Sequence, residues 1–211
     1  MVKTRIVIVD DHRILRDGIK ALLREIDDVE LVGEASNGVE FLKILRNQPV
    51  DLALMDINMP QMDGVEATKE ALAICPSLKV IVLSMHSESK YYDSMIQLGV
   101  HGFLLKESNY GELKAAIKSV MDGVPFFSQD LLLNLLKAKK VKESKSIELS
   151  AREKSVLALI CKGLSTNEIA ESLHFSVSTI EKYRSELLLK TNSTNSTALA
   201  VYAIKNNLIN L

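Results

Sequence analysis

The run Leu52-Ala53-Leu54-Met55-Asp56-Ile57-Asn58-Met59-Pro60 decides how the first half of this chain folds. Four apolar residues end in a carboxylate, and a loop signal follows. A short apolar run of this kind reads as a strand buried on both faces, the habit of parallel sheets. A second run, Ile6-Val7-Ile8-Val9, ends the same way, in the pair Asp10-Asp11. If the two are neighbouring parallel strands, their carboxyl ends bring three carboxylates to one spot. Like charges so close repel, and a bound hard cation is the natural resolution.

The pattern recurs outward from these runs. Strands are predicted over Arg5–Val9, Leu31–Ala35, Leu52–Met55, Val80–Ser84 and Gly102–Leu105. Amphipathic stretches over Arg13–Glu25, Gly38–Arg46, Gly64–Ala73, Lys90–Leu98 and Gly111–Met121 alternate with them. That alternation predicts an α/β doubly wound, five-stranded parallel sheet covered by helices on both faces. Sites in such sheets form at the carboxyl ends of strands. Asp10, Asp11, Asp56, Ser84 and Lys106 all fall at those ends. Taken singly, each has a plainer role: an Asp caps a helix, Ser84 ends a strand, Phe103 fills the core, Lys106 stays solvated. Their convergence on one edge of the sheet overrides those roles.

Ser128–Lys137 is predicted helical, and Ala138–Lys145 is charged without a core pattern, which places a linker there. From Leu149 onward the pattern is helical throughout. Three capping boxes are legible, Ser150 with Glu153, Ser165 with Glu168, and Ser178 with Glu181. The division expected is 1–122, a linker over 123–147, and a small all-α unit over 148–211. A short helix Thr166–Leu173, a turn His174-Phe175-Ser176 and a longer helix Val177–Lys190 have the spacing of a helix-turn-helix.

Charge supports the division. The formal net charge of −1 conceals 14 basic and 20 acidic residues in 1–136, then five Lys against one Glu in 137–147. The acidic first half argues against nucleic acid there, while the basic linker and near-neutral tail permit it. Cys75 and Cys161 have no CxxC spacing and read as reduced thiols. No apolar stretch reaches the ~20 residues of a membrane helix, and the N-terminus runs straight into a strand pattern. The expectation is a soluble cytoplasmic protein without a membrane partner. His12, His86, His101 and His174 show no metal-ligand spacing and read as ordinary histidines.

With those residues in order, 1–122 resembles the receiver domain of two-component signalling. The resemblance implies that a cognate histidine kinase phosphorylates Asp56, and that Asp11, Asp56 and the backbone carbonyl of Asn58 bind Mg²⁺, with Asp10 acting through water. It implies that Ser84 moves towards the phosphoryl group, that Lys106 pairs with its oxygens, and that Phe103 turns inward as Ser84 shifts.

The segment Leu149–Leu211 resembles the LuxR/FixJ/NarL class of DNA-binding domains, through Leu149-Ser150-Ala151-Arg152-Glu153, Gly163-Leu164-Ser165-Thr166-Asn167-Glu168-Ile169-Ala170 and Ser178-Thr179-Ile180. Together the two resemblances imply a NarL-type response regulator, a phosphorylation switch rather than a turnover enzyme. Ile180, Leu187 and Leu188 would face the core. Ser176, Ser178, Thr179, Glu181, Lys182, Arg184, Ser185 and Lys190 would meet double-stranded promoter DNA. The last helix, predicted over Ser196–Asn206, carries Ala198, Leu199, Val201, Tyr202 and Ile204, and implies a homodimer on phosphorylation through residues such as Leu199 and Tyr202.

This chain departs from the family pattern at Thr179-Ile180-Glu181-Lys182-Tyr183, where a basic residue and a histidine are customary. Glu181 either accepts from a cytosine amino group or closes the Ser178 capping box, the second being favoured. Two other classes share part of this pattern. A Mg²⁺-dependent phosphohydrolase usually carries a second acid two residues after the nucleophile, where this chain has Asn58. A pure interaction module would not need the whole pocket.

Overall fold

The computed structural model describes residues 3–85, 91–127, 149–206, 208 and 209. The helix expected over 128–137 and the charged linker lie outside them. Strands β1 (Thr4–Val9), β2 (Val29–Ala35), β3 (Leu52–Asp56), β4 (Lys79–Ser84), β5 (Gly102–Leu105) and β6 (Phe126–Phe127) form one sheet in the order β2-β1-β3-β4-β5-β6. Every pairing is parallel.

The sheet has six strands where five were expected. The added strand is two residues long, too short for any period to show, and lies within the expected linker. It pairs Gly102 with Phe126 and Phe103 with Phe127.

Alternate side chains of each strand enter opposite cores. Val7, Val9, Ala53, Met55, Val80, Val82 and Phe103 face helices α2 (Gly38–Asn47), α3 (Gly64–Ile74) and α4 (Tyr92–Leu98). Ile6, Ile8, Leu52, Leu54, Ile81, Leu83 and Leu104 face α1 (Arg13–Arg24) and α5 (Tyr110–Met121). Because both faces are covered, β3 is apolar at every position before its terminal Asp56. Side-chain caps start three of these helices: Asn37 for α2, Asp63 for α3, and Asn109 with Glu112 for α5. Each supplies an acceptor to an amide that the helix leaves unpaired.

The C-terminal segment is helical: α6 (Ala151–Cys161), α7 (Thr166–Leu173), α8 (Val177–Thr191) and α9 (Ser196–Lys205). Val156, Leu157, Ile160, Ile169, Ile180, Leu187, Leu199 and Ala203 form its core. The capping boxes at Ser150–Glu153 and Ser165–Glu168 are present. The third is not. Helix α8 begins at Val177, so Ser176 is its cap and accepts from the Thr179 amide. Glu181 is therefore left on the exposed surface of α8, and the favoured capping role is corrected.

The two parts pack together. Ala198 and Val201 of α9 join the core that holds Tyr92, Met95 and Ile96 of α4.

Candidate functional site

Strands β1 and β3 are parallel neighbours, which meets the condition set from the sequence, and their carboxyl ends meet. The carboxylate oxygens of Asp10, Asp11 and Asp56 and a ring nitrogen of His12 lie within 4.8 Å of one another. Asp10 and Asp56 are buried, at 0% and 1% exposure. Lys106, from the end of β5, places Nζ 2.7 Å from Asp56 Oδ2 and 2.8 Å from Asp10 Oδ2. The Ile57 amide donates to Asp56 Oδ1 at 2.7 Å. The Asp56 carboxylate is thus held at both oxygens.

Electrostatics follow from burial. Burial pushes the Asp56 carboxyl up to about 6; Lys106 opposes this and the Asp10 charge adds to it. Burial also works against the Lys106 ammonium, but its bonds to Asp10 and Asp56 outweigh that and hold its pKa above the ordinary value. One lysine balances two buried carboxylates, while Asp11 and the exposed His12 close the rim. Neither Oδ2 receives an aligned hydrogen bond beyond these ion pairs. A cluster of carboxylate oxygens with acceptor capacity to spare fits a hard divalent cation.

Other expected residues fall as follows. Asn58 is exposed, two residues beyond Asp56. Ser84, at 1% exposure, is bonded to the Tyr92 hydroxyl at 3.3 Å. Phe103 is already turned inward at 1% exposure, stacked on Phe127 and met edge-on by Tyr92.

Three residues beside the pocket were missed. Gly64 packs so closely under it that a Cβ would stand 2.0 Å from the Asp56 carbonyl oxygen. His12 bridges Asp10 and Asp11 at 3.1 and 2.8 Å rather than standing apart as an ordinary histidine. Tyr92 touches both expected switch residues. Tertiary packing brings in Tyr92 and Gly64, though Gly64 follows an Asp in a loop and carried a turn signal, while His12 is a sequence neighbour of the carboxylates it bridges.

The turn His174-Phe175-Ser176 joins α7 to α8, with His174 left-handed at φ 56°. Ser176, Ser178, Glu181, Lys182, Ser185 and Lys190 are exposed and Thr179 is half-buried. Ser178, Thr179, Lys182, Tyr183 and Glu186 line one shallow groove. The Ser176 hydroxyl lies 2.9 Å from that of Ser178 and 2.7 Å from that of Thr179. Lys190 is ion-paired to Glu153 at 2.6 Å.

Two expectations are corrected by packing. Arg184 turns inward, donating to Thr166 and Ser196 hydroxyls and to the Gly123 carbonyl. It joins α7, α8 and α9 to the end of α5 and does not belong to the exposed row. Leu199 is fully buried in its own helical core and offers no surface to a second copy. Tyr202 is half-buried in a groove between α9 and α4, with Ile96 and Gln97 opposite.

A doubly wound sheet with carboxylates and a lysine at its strand ends, joined to a helix-turn-helix, defines a class: receiver-linked DNA-binding proteins. Residues 6–118 match the response regulator receiver domain, and 148–203 match the bacterial regulatory proteins of the luxR family. The response regulator UvrY of Escherichia coli (strain K12) is 34% identical over 209 residues, covering 97% of this chain and 95% of that protein. The uncharacterized transcriptional regulatory protein YhcZ of Bacillus subtilis (strain 168) is 35% identical over 208 residues, covering 97% of each. A structure of two RcsB dimers bound to two parallel DNAs superposes with a TM-score of 0.59 at 28% identity, over 96% of this chain and 98% of that one. The chain belongs to the NarL/FixJ family of two-component response regulators and is a DNA-binding transcriptional regulator. Among the described residues, no helix is long and apolar enough to cross a membrane.

Proposed function

We propose that Asp56 accepts a phosphoryl group from a histidine kinase, and that this promotes dimerisation and promoter binding in the cytoplasm. The observation that carries the proposal is the buried Asp56–Lys106–Asp10 arrangement at three strand ends. An Asp56 oxygen forms a bond to phosphorus while the P–N bond to the kinase imidazole breaks, its electron pair returning to the imidazole nitrogen. Lys106 is freed from Asp56 as that carboxylate becomes an acyl phosphate, and pairs with the phosphoryl oxygens instead. The residues that would hold Mg²⁺ are Asp11, Asp56 and the Asn58 carbonyl, with Asp10 through water. When bound, the ion neutralises charge gathering on the phosphoryl oxygens. We take self-dephosphorylation to be slow, which suits a switch rather than a turnover enzyme.

For DNA, we take Ser176, Ser178, Thr179, Glu181, Lys182, Ser185 and Lys190 as the contact row. Hydroxyls at the start of α8 suit phosphates, Lys182 and Lys190 suit phosphate or guanine, and Glu181 suits a cytosine amino group. Dimerisation uses the Tyr202 side of α9. We place the receiver at 1–122, the linker at 123–147 and the DNA-binding unit at 148–211.

The test is labelling by a small phosphodonor with Mg²⁺, beside selection from random duplexes by the beryllofluoride-activated protein. Incorporation that vanishes in Asp56→Asn, with enrichment of a two-half-site sequence by activated protein alone, is the expected result. Label persisting on Asp56→Asn would remove the phosphoacceptor.

A further inference from the structure

Tyr92 is buried against both residues expected to switch. Tyr92 is 2% exposed, and its hydroxyl lies 3.3 Å from Ser84 Oγ. Its ring meets Phe103 edge-on, with centroids 5.3 Å apart and planes at 75°. Phe103 stacks in turn on Phe127 of the added strand, 6.2 Å between centroids. Tyr92 stands at the start of α4, so it ties the end of β4 to a helix.

We propose that Tyr92 is a positioning residue for Ser84: its hydroxyl competes with the phosphoryl oxygen for the Ser84 hydroxyl and so sets how readily the receiver enters its activated state. The inference rests on Asp56 being the phosphoacceptor. Either hydroxyl can be the donor in this contact, and Ser84 has one proton to give. To reach a phosphoryl oxygen at Asp56, it must leave Tyr92. A separation of 3.3 Å is long for a bond between hydroxyls, whose usual distance is about 2.7–2.8 Å. It is therefore weak enough to be surrendered.

Surrendering it has a consequence for α4. A buried hydroxyl left without a partner is unfavourable. Once Ser84 has gone, the Tyr92 hydroxyl is favoured where it finds another partner, which biases the first turn of α4 to shift. The far end of the same helix is where the DNA-binding segment is bonded, through Asn195 to Gly99 and Val100. The cost of orphaning one hydroxyl thus acts on the helix that carries the docking contact.

The experiment is a double-mutant cycle on the full chain, reading the apparent Kd for beryllofluoride at saturating Mg²⁺. Tyr92→Phe keeps the ring and its contact with Phe103 and removes only the hydroxyl. It should tighten beryllofluoride binding about fivefold, the equivalent of one hydrogen bond of about 1 kcal/mol. In a Ser84→Ala background the same substitution should change nothing, because no serine hydroxyl remains to be contested. Weaker binding by Tyr92→Phe, or an equal shift in both backgrounds, would overturn the proposal and leave Tyr92 as packing. Wild-type binding no tighter than that of Asp56→Asn would overturn the phosphoacceptor reading itself, and this proposal with it.

Discussion

The side chain of Asn195 is bonded to two helices at once. Its Oδ1 accepts from the Ala198 amide at 2.9 Å and caps α9, while Nδ2 donates to the carbonyls of Gly99 at 2.6 Å and Val100 at 3.0 Å, just past α4. Thr197 adds a bond to the His101 carbonyl at 2.8 Å, and Arg184 one to Gly123 at 3.2 Å beyond α5. Every donor comes from the C-terminal segment, and every acceptor is a backbone carbonyl at or just past the end of a receiver helix. Backbone carbonyls just beyond a helix end are not taken up by the helix ladder, so they can accept bonds from a docked segment. The same docking covers Ala198 and Val201 of α9, while Lys182 and the start of α8 stay exposed.

Asn195→Asp separates the two roles. Aspartate caps a helix as well as asparagine does, but it has no amide protons and faces two carbonyls with a negative charge. Docking should weaken by about 2 kcal/mol, at about 1 kcal/mol for each bond lost. Small-angle scattering should show an expanded unphosphorylated protein, and the same protein should bind DNA more tightly. An unchanged scattering curve would show that these bonds do not hold the two parts together.

Gly64→Ala places a carbon 2.0 Å from the Asp56 carbonyl oxygen, and the adjoining bond from the Gly64 amide to Ile57 anchors the backbone there. The turn after β3 must shift. A loss of about 2 kcal/mol or more in stability is expected, with phosphodonor labelling reduced. Denaturant unfolding and labelling together check it; a variant equal to wild type in both would mean that the turn yields freely.

Lys106→Met removes the only cation that the described structure places between Asp10 and Asp56. Removing one partner of a buried ion set costs about 3–5 kcal/mol. Thermal unfolding without divalent cations should show that loss, and added Mg²⁺ should recover more stability in the variant than in wild type. Equal gains from Mg²⁺ in both proteins would separate the cation from this cluster.

Lys182→Ala and Arg184→Ala should differ in kind. Lys182 is exposed on α8, and losing it should weaken DNA binding across sequences and reduce the salt slope by about 1. Arg184 ties Thr166, Ser196 and Gly123 together, so its loss should lower the unfolding temperature while leaving the salt slope close to wild type. A reduced slope in Arg184→Ala would return that residue to the DNA surface.

Acid should weaken the fold through His101. Burial, with the charge of Lys79 added, pushes its imidazole down to about 4 from an ordinary 6.5. A histidine that resists protonation when folded contributes stability above pH 6.5, and that contribution is lost as pH falls from 6.5 towards 4. The loss amounts to about 1–3 kcal/mol, since one pKa unit is about 1.4 kcal/mol and the ring keeps some solvent contact. His101→Gln should flatten the stability profile between pH 4 and 6.5, measured by urea unfolding.

The sequence by itself determined the sheet and its chemistry. Short apolar runs bounded by loop signals and alternating with helical periods read as strands covered on both faces, which is why β1 and β3 were legible with Asp10, Asp11 and Asp56 at their ends. The serine boxes at 150 and 165 marked helix starts because a hydroxyl and a carboxylate three residues apart satisfy local amides. These are short-range or periodic signals, carried by the chain whatever lies across from it. Tertiary structure alone decided the rest. Phe126–Phe127 became a strand only because β5 offered an open edge. Arg184 looked like a DNA contact until packing gave its guanidinium three acceptors. Leu199 is apolar in either role, and only the neighbouring helices place it in its own core. Tyr92 and Asn195 act across 8 and 96 residues of chain, and no local pattern records a partner met through space.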